Sequence, residues 1–237
     1  MKTYVLIHGA WHGSWCWQKI IPFMQSNGDR VIAPDIDWNN NKTIHTSHNS
    51  TPTYVKNLCN QIRKLDKKII LVGHSMGGVV ISQIAETIPE HIHLLVYISG
   101  FLLANGQCVN DTESLMADSL IQPYLKLSRD NKNILLPTSK LREGLYKDCS
   151  LEDYNFALAN ICTQPITSFT SPIQIADNRF GKISRTYIEC LQDMAIPLSA
   201  QRIMHGSMKC QAVHSLNSSH APFFSQSETL SKLLLKL

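Results

Sequence analysis

The chain has 237 residues, 43% of them apolar, with 22 basic against 18 acidic side chains and a formal charge of +4, which excludes a disordered chain and suits one large domain. The densest basic group, Arg63, Lys64, Lys67 and Lys68, falls at a predicted helix end and favours the helix dipole, so it is no nucleic-acid footprint. Seven cysteines without pairwise rhythm argue against a disulfide framework, and no run approaches the roughly 20 apolar residues of a membrane span, so the expectation is a cytoplasmic protein.

In chain order, TYVLIH (3–8) reads as a buried strand, its apolar run being too short for a signal segment. GAWHGSW (9–15) is a glycine-punctuated loop leading to a helix that ends near residue 26. RVIAPD (30–35) is a second strand, followed by a polar loop over 36–50 that holds His45 and His48. Pro52 opens a helix whose apolar positions Val55, Leu58, Ile62 and Leu65 follow a 3.6 period. IILVG (69–73) is a strand, GGVVISQIAETIP (77–89) a helix stopped at Pro89, and HLLVYIS (93–99) a strand again. Apolar strands alternating with helices predict a mostly parallel, doubly wound sheet covered on both faces.

After Gly100 the pattern changes. Residues 101–181 carry helical periodicity with polar interruptions and no convincing strand, as expected of a mainly helical cap inserted into a core formed by 1–100 and 182–237. RTYIEC (185–190) restores the strand, Pro197 starts a helix, QAVHSL (211–216) is the last strand, and 227–237 closes as an amphipathic helix. One domain spanning 1–237 is expected.

Gly73, Ser75 and Gly77 lie where a buried strand must reverse into a helix within about three residues. Such a turn lifts the serine hydroxyl above the sheet edge and needs small neighbours two residues to either side. A serine hydroxyl needs a base, and the base an orienting acid. His220 follows the last strand in a small polar loop, NSSHAPFFS; His74 belongs to the turn, His205 and His214 fit structural roles, and the pairs His45/His48 and His91/His93 lack partners for a metal. No metal or cofactor is expected. Asp193, just past the strand RTYIEC, is the best placed acid, with Asp35, Asp111 and Asp177 as competitors. The order Ser75, Asp193, His220 matches the order of a nucleophile-elbow triad. The Met76 and Ala10 amides are the candidate oxyanion donors, with His8 and His12 read as loop supports and Trp11 as a packing residue within reach of substrate.

HGAWHGSWCW, GHSMGG, ETIPEHIHLLVYISGFL, YIECLQDMAIP and SSHAPFF, five motifs in order, together resemble the α/β-hydrolase superfamily. They are most similar to its branch of plant methylesterases, hydroxynitrile lyases and bacterial esterase relatives. The resemblance implies an α/β-hydrolase fold with Ser75 as nucleophile, Asp193 as acid, His220 as base, and Ala10 and Met76 as oxyanion donors. It also marks a departure, because the lyases of this branch carry threonine where Ala10 stands and lysine where Ala221 stands.

The expected activity is hydrolysis of small hydrophobic esters, methyl or aryl, through an acyl-enzyme. The alternatives are a catalytically slow ligand receptor on the same fold, or a lyase, carbon–carbon hydrolase or acyltransferase using the same triad. A small-molecule ester is the expected partner, without nucleic acid or membrane, and a homodimer stays open. Phe101, Leu102, Leu115, Met116, Phe156 and Phe169 are the candidate pocket residues of the cap, with Phe101 and Trp11 foremost.

Overall fold

A computed structural model describes residues 1–38, 52–136 and 138–237; His45 and His48 lie outside the described residues. The strands are β1 (Thr3–Ile7), β2 (Arg30–Ile32), β3 (Ile69–His74), β4 (Ile92–Ile98), β5 (Lys126–Leu127), β6 (Asn133–Leu135), β7 (Gln164–Pro165), β8 (Arg185–Cys190) and β9 (Ala212–Leu216). The helices are α1 (Ile20–Ser26), α2 (Thr53–Ile62), α3 (Gly77–Thr87), α4 (Thr138–Leu145), α5 (Leu151–Asn160), α6 (Thr167–Thr170), α7 (Leu198–Ser207), α8 (Pro222–Ser225) and α9 (Ser227–Lys236).

Six strands form one sheet in the order β2-β1-β3-β4-β8-β9, every neighbouring pair parallel. Strand side chains alternate between two apolar layers. Val5 and Ile7 of β1, Leu71 of β3 and Tyr97 of β4 join the layer built with α2 and α3. Tyr4 and Leu6 of β1, Val72 of β3 and Ile98 of β4 join the layer built with α1 and α9. Because both faces are covered there, the central strands β1 and β3 read as largely apolar runs.

From β1 the chain moves outward to β2, then returns past β1 to β3 and continues the other way. The order therefore reverses between β1 and β3. In open α/β sheets the crevice at the carboxyl ends of the strands beside such a reversal is where ligands bind.

Two expectations are corrected. The second strand ends at Ile32 rather than residue 35: Pro34 has no amide to give a ladder, and the Ile36 amide donates to the His8 ring at 3.1 Å. The cap is mainly helical but also holds a small antiparallel sheet, β5-β6-β7. Its strands are two or three residues long, too short for alternation to be legible.

Candidate active site

The strand β3 leaves the sheet at Ser75, whose φ of +53° lies in the left-handed region. A β-carbon on Gly73 would stand 2.6 Å from the Gly77 carbonyl oxygen, and one on Gly77 would stand 2.6 Å from that of Ile7. Both contacts are with main chain, which cannot yield, so only glycine lets strand and helix pass this closely. Ser75 is locked on both sides: its amide donates to Ile98 O at 3.2 Å, and its carbonyl accepts from Gly78 N at 2.9 Å and Phe101 N at 3.0 Å. Among the described residues, four that are not glycine have a positive φ: Trp11, Ser75, Ser99 and Asn131. Three of these stand at the carboxyl ends of β1, β3 and β4. Strain concentrated in one place is characteristic of a functional site.

Asp193 and His220 come together behind that edge. His220 Nδ1 donates to Asp193 Oδ2 at 2.6 Å, and both side chains are buried. Ser99 Oγ donates to the same oxygen at 2.5 Å, while Asp193 Oδ1 accepts the Ala195 and Ile196 amides at 2.7 and 2.9 Å. The carboxylate is thus held by four donors and keeps one orientation. With Nδ1 engaged, Nε2 is the imidazole nitrogen left for a reacting group.

The competing acids are occupied elsewhere: Asp35 accepts the Ser14 amide at 2.6 Å, Asp111 accepts the Cys108 amide at 2.7 Å, and Asp177 is exposed in the cap.

The loop after β1 is braced by the two histidines that flank Ala10. His8 Nδ1 donates to Gly9 O at 2.9 Å. His12 Nδ1 donates to Ala10 O at 2.7 Å and its Nε2 accepts from the Tyr146 hydroxyl at 2.6 Å. Burial lowers the pKa of both, that of His12 to about 3, so they stay neutral and their tautomers are fixed by these bonds. Neither the Ala10 nor the Met76 amide donates to another described residue. Met76 precedes the first residue of α3, where the helix dipole favours negative charge.

Ser75 and His220 line one cavity of about 260 Å³, with Ala10, Met76, Trp11 and Phe101. Of the other expected pocket residues, Met116 and Phe169 line it, and Leu102, Leu115 and Phe156 do not. Leu102 and Leu115 pack into the core, and Phe156 stacks edge-on against Trp15 and Phe224. Trp11 both lines the cavity and anchors the cap. Its indole donates to Ile134 O at 3.0 Å, and its amide donates to the Gln164 side chain at 3.1 Å.

Sequence reading missed Ser99 and the part played by His74. The His74 ring points under the His220 loop, and its Nε2 donates to the His220 carbonyl at 2.7 Å. A buried serine and a turn histidine carry no spacing rule, although Ser99-Gly100 at a strand end could have marked a bend.

All seven cysteines are free, and burial pushes the Cys149 thiol up to about 12 and those of Cys59 and Cys210 to about 11. Among the described residues, no group of three or more His, Cys, Asp or Glu is gathered as metal ligands would be, and no helix is long and apolar enough to cross a membrane.

A family model described as "Alpha/beta hydrolase family" matches residues 4–233. "Putative methylesterase 11, chloroplastic" of Arabidopsis thaliana is 33% identical over 99% of this chain and 63% of its own length. "Methylesterase 7" of the same plant is 29% identical over 100% of this chain and 96% of its own length. The chain spans 56–63% of the length of the first three curated relatives it matches. Among solved structures, polyneuridine aldehyde esterase superposes with a TM-score of 0.80 at 25% identity, over 100% of this chain and 98% of that one. The order of strands, the turn at Ser75 and the match over nearly the whole length agree: the chain belongs to the alpha/beta hydrolase family.

Proposed function

We propose that this protein is a serine carboxylesterase for small, neutral, apolar esters. The observation that carries the reading is the 2.6 Å Asp193–His220 pair, whose imidazole residue lines the same cavity as Ser75. The names of the relatives, methylesterases and an esterase, support it.

His220 Nε2 takes the Ser75 proton as Oγ attacks the ester carbonyl carbon, and Asp193 stabilises the imidazolium without taking the proton itself. The carbonyl oxygen becomes an oxyanion facing the Ala10 and Met76 amides. As the carbon–oxygen bond to the alcohol breaks, His220 returns the proton to the alcohol. Water then repeats the sequence on the acyl-enzyme, releasing the acid and restoring Ser75. The side chains at Ala10 and Ala221 offer neither the hydroxyl nor the ammonium of the lyases in this branch, so a hydrolytic outcome is favoured.

The cavity sets the substrate class. Its wall is chiefly apolar, with Trp11, Phe101, Met116, Ile134 and Phe169 among its members, which suits a compact apolar acyl or alcohol group. Turnover of p-nitrophenyl acetate by the protein and its Ser75→Ala variant tests the reading. The variant is expected to lose about 1,000-fold or more in kcat at unchanged fold; equal turnover by both would rule it out.

A further inference from the structure

The segment that follows α4 in the cap touches both loops that carry the proposed machinery. Tyr146 holds the Ala10 loop through the His12 ring, as described above. Two residues on, Asp148 Oδ2 accepts the Ser219 amide at 2.9 Å, and Asp148 Oδ1 accepts the Ser219 hydroxyl. The same hydroxyl lies 3.3 Å from the Leu145 carbonyl oxygen, and Leu145 itself lines the cavity. Cys149 Sγ stands 3.9 Å from the Ala221 carbonyl. The residues immediately before and after His220 are therefore both fastened to 145–149.

Ser219 is fully buried, so its amide and hydroxyl need partners inside the protein. A carboxylate taking both donors makes two charge-assisted bonds with defined direction. From the end of β3 the His74 ring holds the His220 carbonyl at 2.7 Å. The backbone that carries the imidazole is thus clamped between the sheet and the cap. Asp148 is itself exposed, so replacing it removes the clamp without opening the core.

We propose that Asp148 is a positioning residue for His220, holding its loop from the cap so that Nε2 meets the Ser75 hydroxyl. This rests on the reading of His220 as the base. A displacement of about 1 Å at a reacting group lowers rates by about 100-fold, so the effect belongs in turnover rather than in substrate affinity.

The test compares kcat and KM for p-nitrophenyl acetate in the full chain and in Asp148→Ala, Asp148→Asn, Ser219→Ala and His220→Ala. Asp148→Ala is expected to lose about 10- to 100-fold in kcat with KM within about three-fold. Asp148→Asn keeps an oxygen for the Ser219 amide and is expected to recover at least about five-fold of that loss. A merely structural role would lower thermal stability in both variants with kcat kept within about two-fold, and that result overturns the proposal. So does a loss carried wholly by KM. If Asp148→Ala yields no folded protein, Ser219→Ala decides: a kcat loss of about three-fold or more supports the clamp, and unchanged kcat overturns it. Turnover surviving in His220→Ala would sink the reading of His220 and this inference with it. A dead His220→Ala beside a fully active Asp148→Ala would sink this inference alone.

Discussion

Ser99 donates its hydroxyl to Asp193 Oδ2 at 2.5 Å, on the oxygen that also accepts the His220 Nδ1–H hydrogen bond at 2.6 Å. Two donors from different strand ends meet at one atom, so the carboxylate is oriented by β4 as well as by its own loop. Ser99 reaches it through a backbone with φ +39°, which glycine tolerates and alanine does not. Ser99→Gly therefore removes the hydroxyl and keeps the turn. It is expected to lower kcat by about 3- to 30-fold with little change in KM, because a looser carboxylate holds the imidazole less firmly. Steady-state kinetics on an aryl ester check this, and an unaltered kcat would show that the loop amides suffice.

Three buried histidines make stability depend on pH. Burial, the largest cause in each, lowers the pKa of His8, His12 and His74, that of His12 to about 3. The unfolded chain protonates each near the ordinary value of 6.5, so below it the unfolded state binds more protons and the folded state loses stability. The contribution is complete above pH 6.5 and declines as pH falls, for His12 down to about 3. Each buried histidine steepens the decline by up to about 1.4 kcal/mol per pH unit. Urea midpoints are expected to drop clearly between pH 7.5 and 5.5. A flat profile over that range would mean that these rings take up protons in the folded state.

Gly77→Ala would place a β-carbon 2.6 Å from the Ile7 carbonyl oxygen and 2.9 Å from that of His8. β1 cannot retreat without disturbing the sheet. The expected cost is about 2 kcal/mol or more, with poor yield of folded protein. A urea midpoint equal to that of the parent chain would show that α3 can shift away from β1.

Phe169 lines the cavity and packs on Trp11 with ring centroids 5.7 Å apart. Phe169→Ala enlarges the space at a stability cost of about 3 kcal/mol. It is expected to raise kcat/KM for a hexanoate ester relative to the acetate by about 3- to 10-fold. Paired specificity measurements on the two esters check it; an unchanged ratio would place the acyl group elsewhere in the cavity.

Much of this was legible in the sequence because it rests on short-range rules. The strands covered on both faces spell themselves as apolar runs, and RTYIEC matches β8 residue for residue. The turn at Ser75 is legible because close passage of β3 and α3 leaves room only for glycine at 73 and 77. Asp193 was harder, since several acids end strands or begin turns, and only three-dimensional folding brings one of them to His220. Ser99, His74 and Asp148 were not legible. Each acts through a single hydrogen bond or pair of bonds to a residue far away in the chain, with separations of 94, 146 and 71 positions, and such contacts leave no period or spacing behind. The cap sheet escaped notice for the opposite reason, its strands being shorter than any pattern.

Mass spectrometry of the chain after exposure to a fluorophosphonate probes the reactivity of Ser75 most directly. One adduct per chain, mapped to the peptide holding Ser75, lost in Ser75→Ala and formed at least about 100-fold more slowly in His220→Ala, is the expected result. Labelling that leaves Ser75 unmodified, or that proceeds at the parent rate without the His220 imidazole, would contradict it.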